Sequence, residues 1–178
     1  MSKSLTFQSL KDSPSSIEAE RAVLGGILID NNSWDKIAGI LQVDDFYHEL
    51  NRKIFSCIVD LSNESIPFDF VTINEKVNVG NEPSFLSYLK DIINQTPSAA
   101  NIVAYAEIIH DRATLRNLIN TASDIQEEAF NPEGRKADEV LDNAERLIMQ
   151  VAEQGPKSGS PVKVDSLLTE AANRIEEL

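Results

Sequence analysis

Apolar residues recur every three or four positions along most of this chain, and hardly any stretch alternates between apolar and polar residues. The first spacing is typical of amphipathic helices, whereas alternation is typical of strands. The pattern predicts a first helix over about 17–29, capped by Ser15 or Ser16, and two more over about 33–41 and 51–61. We therefore predict an all-α fold.

Local motifs refine this prediction. The segment Thr72-Ile73-Asn74-Glu75 has the pattern of a capping box and predicts the start of a short helix that ends near Val79. Pro83 then lies near the first turn of the next helix, a position that proline favours. Gly25 and Gly26 fall inside the first predicted helix, where the absence of a side chain favours close helix packing over a ligand-binding loop.

A longer helical pattern runs from Ser98 to Ala129, and a turn at 131–134 separates it from a second one. Both helices carry apolar residues at heptad a and d positions, namely Leu115, Leu118, Ala122, Ile125 and Ala129 before the turn, and Ala137, Val140, Ala144, Leu147 and Val151 after it. Two helices with matched seams and a short connection predict an antiparallel helical hairpin.

The hairpin carries more apolar residues than its own seam requires. Ile119, Leu141 and Ile148 lie outside the a and d positions, at e positions that widen the apolar face. On a hairpin that projects from a domain, this second stripe is exposed in a monomer and predicts a binding partner. The alternative is that Ile119 and its neighbours pack back onto the globular part.

These patterns divide the chain into five parts. We predict a disordered N-terminal arm over 1–13, a small globular helical domain over 14–112, the hairpin over 113–152, a flexible linker over 153–164 and a linker helix over 165–178. The last helix ends without a C-cap and has no evident partner, so we expect it to dock outside this chain or, alternatively, to fold back onto it. Its docking face consists of Leu167, Leu168, Ala171 and Ile175.

Charge limits the classes of ligand. The 178 residues include 16 Lys and Arg against 29 Asp and Glu, which gives a net charge of -13. Such a chain repels the phosphate backbone, so we expect no strong nucleic-acid binding. It has one cysteine, Cys57, and therefore no internal disulfide, and no apolar run approaches the roughly 20 residues that span a membrane. We predict a cytoplasmic protein with no membrane association.

The sequence carries no recognisable catalytic equipment. None of its glycines has the spacing of a phosphate-binding loop, and its two histidines, His48 and His110, do not have metal-ligand spacing. We therefore predict no catalytic residue, no cofactor site and no metal site in this segment. An enzyme with a carboxylate site at Asp44, Asp45 and Glu49 is the remote alternative, since acids clustered in a turn are usually solvated.

Several motifs, in order along the chain, resemble those of one family. The segment Pro14 to Gly25 is similar to the opening signature of the N-terminal domain of DnaB-type replicative DNA helicases. Later segments resemble further landmarks of that family, namely Asp45-Phe46-Tyr47, Lys53-Ile54-Phe55, Asp69-Phe70-Val71-Thr72, and Pro97-Ser98-Ala99-Ala100-Asn101 followed by Tyr105-Ala106. The resemblance extends over about residues 14 to 152.

The resemblance implies a function without catalysis in this segment. In the family, the N-terminal domains form a collar on a hexameric ring by pairing their hairpins as a trimer of dimers, and they dock primase. A linker helix leads to a RecA-type ATPase domain, outside this sequence, where ATP and magnesium are expected to bind. The resemblance also implies a helicase loader as a partner.

The resemblance and the apolar pattern together give candidate site residues. We expect primase to dock on Ile119, because it lies off the hairpin seam, and on three residues at positions that match the family's docking surface, Tyr88, Ile125 and Glu18. Self-association is expected through the hairpin, with Leu141 and Ile148 contributing most and Leu147 and Val140 beside them.

A second function class stays open at this point. The chain is then a stand-alone helical adaptor that resembles a helicase loader or inhibitor. Downstream sequence with a phosphate-binding loop in the native reading frame separates the two hypotheses.

Overall fold

The computed structural model describes residues 13–77, 83–96 and 98–154, and over these residues the fold is all-α, as predicted. In chain order the helices are α1 (Ile17–Ile29), α2 (Trp34–Ile37), α3 (Glu49–Asn63), α4 (Phe70–Val77), α5 (Pro83–Gln95), α6 (Ile102–Phe130) and α7 (Ala137–Gln154). The predicted linker helix, with Leu167, Leu168, Ala171 and Ile175, lies outside the described residues, as does the predicted N-terminal arm up to residue 12.

The first helix follows its prediction, and the second does not. Ser16 caps α1, because its Oγ accepts a hydrogen bond from the Ala19 N–H at 3.3 Å. The predicted helix over 33–41 is much shorter in the structure, because α2 is a single turn, its last hydrogen bond runs from the Ala38 N–H to the Trp34 carbonyl at 2.9 Å, and a turn follows over 38–40. Gly39 follows, and glycine is among the poorest helix formers.

The predicted capping box at 72–75 is also wrong. Helix α4 begins earlier, and the reciprocal pair is Asp69 with Thr72: the Thr72 N–H donates to Asp69 Oδ1 at 2.8 Å, and the Asp69 N–H donates to Thr72 Oγ1 at 2.9 Å. The backbone hydrogen bond from Thr72 lowers the pKa of Asp69. Asp69 therefore precedes and caps the helix where Thr72 was predicted to, since a carboxylate accepts a stronger hydrogen bond from the backbone than a hydroxyl does.

The core of the globular part is assembled from helices α1 to α6 and the segment before α3. Its largest fully buried side chains are Phe46, Phe55, Leu24, Ile27, Ile37, Ile54, Ile58, Ile73, Leu89, Ile92, Ile102 and Ile109. No residue of α7 is buried. The hairpin therefore extends from the globular core through α6, whose first turns belong to that core.

Gly25 and Gly26 lie where α1 packs closely on its neighbours, and this prediction is confirmed. A Cβ on Gly25 would lie 2.0 Å from Thr96 Oγ1 and 2.9 Å from the Ile92 carbonyl oxygen. A Cβ on Gly26 would lie 3.2 Å from Ile102 Cδ1. Only glycine allows α1 to approach α5 at this distance.

Helices α6 and α7 form the antiparallel hairpin. Glu128, near the end of α6, accepts a hydrogen bond at 2.6 Å from the amide of Asn143, on the first half of α7. The turn between them has positive φ at Glu133 and Gly134, 51° and 85°. A glycine at the second position is favourable, because the left-handed region costs glycine no steric energy.

On α7 the predicted seam is right except at Ala137, which is exposed, and on α6 it is wrong except at Ile125, which is half-buried. Val140, Ala144, Leu147 and Val151 are half-buried on α7, whereas Leu115, Leu118, Ala122 and Ala129 are exposed on α6. Polar residues of α6 face α7 near the base of the hairpin, where a cleft of about 460 Å³ is lined by Thr114, Asn117, Thr121, Leu147 and Val151 among others. The globular core fixes the rotation of α6, because its first turns bury Ile102, Ala106, Ile109 and Ala113.

Candidate functional site

A buried carboxylate organises one end of the globular part. Glu20 of α1 is only 1% exposed, and it accepts hydrogen bonds from the Tyr47 N–H at 2.7 Å, the His48 N–H at 3.2 Å and the Asn51 amide at 2.8 Å. Burying a charge costs free energy unless several donors satisfy it, and these three supply that stabilisation. They also fix the segment before α3 against α1.

Tyr88 of α5 is held in place by this network. Its hydroxyl donates to Asn51 Oδ1 at 2.6 Å, its ring stacks on His48 with centroids 5.4 Å apart, and the Arg21 guanidinium lies 5.4 Å from its ring centroid. Burial raises the pKa of the Tyr88 hydroxyl. Tyr88 is therefore a half-buried aromatic whose orientation is set by residues of α1, α3 and the segment between α2 and α3.

A groove of about 340 Å³ adjoins Arg21, between α1, the end of α5 and the start of α6. It is lined by Glu18, Arg21, Ala22, Ile92, Gln95, Thr96, Ser98, Asn101 and Tyr105. The lining combines polar side chains with the partly exposed apolar residue Ala22. Such a surface is suited to a polypeptide segment that places an apolar side chain among polar contacts.

The structure brings two of the predicted docking residues together and leaves two elsewhere. Glu18 is exposed in the groove, and Tyr88 contacts Arg21, which also lines that groove. Ile119, 45% exposed, and Ile125, half-buried, lie on α6 beyond its last buried residue, Ala113.

Both hairpin helices expose apolar side chains. The exposed fractions are 42% for Leu115, 44% for Leu118, 45% for Ile119, 64% for Leu141, 51% for Ile148 and 66% for Met149, and we call these residues the apolar hairpin surface. Val140 and Leu147, also predicted to mediate self-association, are half-buried instead. Leu115, Leu118 and Met149 were not among the predicted site residues.

Sequence reasoning also missed Glu20, Asn51 and Arg21. A signal for Glu20 was present, because it shares the helical spacing of Val23 and Ile27, which are both fully buried. An acid on the apolar stripe of a helix indicates a buried, hydrogen-bonded charge.

A second network ties the base of the hairpin to the globular part. Arg116 of α6 donates to the carbonyl oxygens of Asp45 at 2.6 Å and Pro14 at 2.8 Å, and burial lowers the pKa of its guanidinium. The Asp45 carboxylate accepts from the Gln42 N–H at 2.9 Å and lies 3.3 Å from Nδ1 of His110, also on α6. Because these groups bond to one another across the chain, we assign them a structural role.

The geometry does not support a carboxylate enzyme. Asp45 caps a turn, Asp44 is exposed, and Glu49 pairs with Lys53 at 2.8 Å, so the three acids do not converge. Residues 13–77, 83–96 and 98–154 contain no group of three metal-ligating side chains and no helix long and apolar enough to cross a membrane. Burial raises the pKa of the Cys57 thiol to about 11, which disfavours a nucleophilic thiolate.

Comparison with known proteins agrees with this fold. The sequence matches a protein-family model described as "DnaB-like helicase N terminal domain" over residues 12–111. It is 36% identical over 169 residues to the replicative DNA helicase DnaB of Pasteurella multocida (strain Pm70). This alignment covers 93% of this chain and 36% of that protein. The chain therefore spans little more than a third of the length of that relative.

Two solved structures have a similar fold. The N-terminal domain of DnaB helicase from Mycobacterium tuberculosis matches with a TM-score of 0.72 and 29% identity, over 78% of this chain and 99% of that one. A structure described as that of a DnaB-like replicative helicase and its interactions with primase matches with a TM-score of 0.67 and 22% identity, over 91% of this chain and 36% of that one. The chain belongs to the family of DnaB-like helicase N-terminal domains.

Proposed function

We propose that this domain pairs with further copies of itself through the hairpin and docks primase, as part of the collar of a hexameric replicative helicase. The observation that carries the pairing is the apolar hairpin surface, which is exposed on both α6 and α7. Large apolar patches are uncommon on the surfaces of monomers and are typical of protein-binding surfaces.

The direction of this surface favours a second copy over a contact within the chain. Leu115, Leu118 and Ile119 are spaced three and four residues apart and share one face of α6. The residues of α6 that face α7 are others, including Thr121 and Glu128. Closing the hairpin therefore leaves these leucines and the isoleucine uncovered, and a second hairpin with the same surface supplies matching apolar area.

Primase docking is supported by the prearranged surface around Tyr88. An aromatic side chain fixed by Asn51, His48 and Arg21 loses little conformational entropy on binding, which is the property of an interface anchor. The partner itself is suggested by the family and by the related helicase that was described together with its interactions with primase. Glu18, exposed in the adjoining groove, then contributes at the rim of the interface.

The activity of the whole protein is part of the same proposal. The P. multocida relative is nearly three times as long as its matching segment, so we propose that ATP-dependent unwinding, with ATP and magnesium, belongs to a motor domain outside this sequence. In this proposal the predicted linker helix and a helicase loader also act at that motor domain, and the whole protein works in the cytoplasm. This segment itself contributes assembly and docking.

The mass of the purified chain in solution, alone and mixed with primase from the same organism, tests both parts. Light scattering after size exclusion, over a dilution series, is expected to show a dimer or higher assembly that dissociates on dilution. Added primase is expected to co-elute. A chain that stays monomeric when concentrated and does not co-elute with primase contradicts the proposal.

A further inference from the structure

Arg21 is fixed at the edge of the groove by neutral groups. Its guanidinium lies 5.4 Å from the Tyr88 ring centroid and donates one hydrogen bond, to Gln95 Oε1 at 2.9 Å. The ion pairs of the described residues involve other groups, so no carboxylate lies within 4 Å of Arg21 in this part of the chain. A guanidinium has five N–H donors, which leaves most of its hydrogen-bonding capacity unused.

Two other arginines of the described residues, Arg116 and Arg52, donate to backbone carbonyls. Arg116 donates to two backbone carbonyls, and Arg52 donates to the Phe46 carbonyl through Nε at 3.3 Å and a terminal nitrogen at 3.0 Å. Both of these side chains have structural roles. Arg21 differs from both because it lines an open groove.

The aromatic ring beside Arg21 is anchored to the buried network. Tyr88, whose ring centroid lies 5.4 Å from the Arg21 guanidinium, is tied through Asn51 to the buried carboxylate of Glu20. A contact with the face of an aromatic ring restricts a guanidinium while keeping its N–H groups available for a planar, bidentate contact. Pre-arrangement of this kind reduces the entropy lost when an anion binds.

We propose that Arg21 binds an acidic side chain of the protein that docks in this groove, and that it thereby helps to determine which partner is accepted. Ala22, a partly exposed apolar residue of the groove, lies beside it, so the docked segment carries an apolar residue close to its acid. Glu18, three residues before Arg21, lies on the same side of α1 and favours a basic residue about one turn further along a docked helix. A nucleic-acid phosphate is disfavoured by the net charge of -13.

The identity of the partner as primase rests on the function proposed above. The affinity of primase for the unaltered chain is compared with that for Arg21→Glu, Arg21→Gln and Arg21→Lys, by calorimetry at two salt concentrations. Loss of one partner of a hydrogen-bonded charge pair is expected to weaken binding by about thirtyfold or more for Arg21→Glu. Arg21→Gln is expected to weaken primase binding less than Arg21→Glu does, and to remove the salt dependence of binding. Arg21→Lys is expected to retain part of the affinity.

Lys90→Glu is the matched control. Lys90 also lies on a groove-forming helix, α5, and its ammonium lies 5.6 Å from the Phe70 ring centroid, but it does not line the groove. The same reversal of charge there is expected to leave primase binding unchanged. Thermal melting monitored by circular dichroism establishes that each variant is folded, and Arg21→Gln serves if Arg21→Glu is not.

A charge exchange completes the test. Each acidic residue on the surface of primase is replaced by arginine in turn, and one such replacement is expected to restore binding to Arg21→Glu. Folded Arg21→Glu and Arg21→Gln variants that bind primase as tightly as the unaltered chain overturn this inference and leave the proposed function intact. Failure of the unaltered chain to bind primase rejects the proposed function, and this inference with it.

Discussion

The side-chain amide of Asn51 donates a hydrogen bond to the buried carboxylate of Glu20 at 2.8 Å, and neither side chain is more than 1% exposed. The Oδ1 atom of the same Asn51 side chain accepts a hydrogen bond from the Tyr88 hydroxyl at 2.6 Å. One buried residue of α3 therefore connects α1 to a half-buried aromatic of α5. Stability and the shape of the proposed docking surface depend on the same few atoms.

We expect Asn51→Leu to destabilise the fold more than Tyr88→Phe. The first leaves one donor fewer for a buried charge and costs roughly 1–3 kcal/mol, whereas the second removes one neutral hydroxyl and costs about 0.5–1.5 kcal/mol. Urea unfolding measured for both variants provides the comparison. An equal or larger loss for Tyr88→Phe contradicts the assignment of Asn51 as the central link.

Gly25→Ala is expected to destabilise the domain, and Gly39→Ala is not. The added methyl group on Gly25 meets Thr96 and the Ile92 carbonyl, and overpacking of this kind typically costs about 1–3 kcal/mol. A methyl group on Gly39 has no heavy atom within 4 Å, and alanine restricts the unfolded chain, so that variant is expected to gain roughly 0.4–1 kcal/mol. Melting temperatures that move in the same direction for both variants would falsify this description of the α1–α5 contact.

The glycine contact is an example of what the sequence predicts well. Gly25 interrupts an apolar helical stripe, and Ser16 precedes that stripe directly, so close packing and the cap both follow from local spacing. Glu20 lies on the same stripe, yet its donors come from 27 to 31 residues away. Local pattern cannot supply such partners, because they depend on how the segment before α3 folds back onto α1.

The seam of the hairpin shows the same limit. On α6, Leu115, Leu118 and Ala122 have the heptad spacing of a seam, but they are exposed. A helix shared by two packing partners can present only one rotation, and the core contacts of Ile102 to Ala113 determine it. Spacing therefore identifies an apolar stripe correctly without identifying what covers it.

Cys57 is expected to react slowly with thiol reagents in the folded protein. Burial raises its pKa from 9.0 to about 11, so little thiolate is present near neutral pH. The thiol of Cys57 holds its proton more tightly in the folded chain than in the unfolded chain. The stability that this difference contributes is therefore present below about pH 9 and is lost as the pH rises above it. Because the chain has a single cysteine, colorimetric titration reads this group alone. Fast labelling of the native protein at neutral pH is inconsistent with a buried thiol.

Replacing both Leu141 and Ile148 with Asp is expected to shift the assembly toward monomer. Burial of an aliphatic side chain stabilises an interface by about 1.5–3 kcal/mol, and a buried unpaired carboxylate is costly in addition. Val71→Asp is the matched control, since Val71 is 63% exposed on α4, away from the hairpin. The masses of the two variants are compared by sedimentation over a dilution series. A hairpin variant that keeps the mass of the unaltered chain on dilution places the self-association surface elsewhere.

Ile119→Asp distinguishes primase docking from self-association. Ile119 is 45% exposed on α6, so the substitution is expected to change the melting temperature little, whereas Ile125→Asp, at a half-buried position, is expected to lower it. If primase binds at Ile119, its affinity falls by about tenfold or more while the mass of the free chain is unchanged, because an apolar anchor typically contributes about 1–2 kcal/mol or more. If Ile119 belongs with Leu115 and Leu118 in the pairing surface, the substitution lowers the mass of the free chain. Primase binding then weakens together with the loss of self-association across a dilution series. Glu18→Ala is the companion variant, expected to alter mainly the salt dependence of primase binding, as a rim charge does. A folded Ile119→Asp protein with unchanged mass and unchanged primase affinity removes Ile119 from both surfaces.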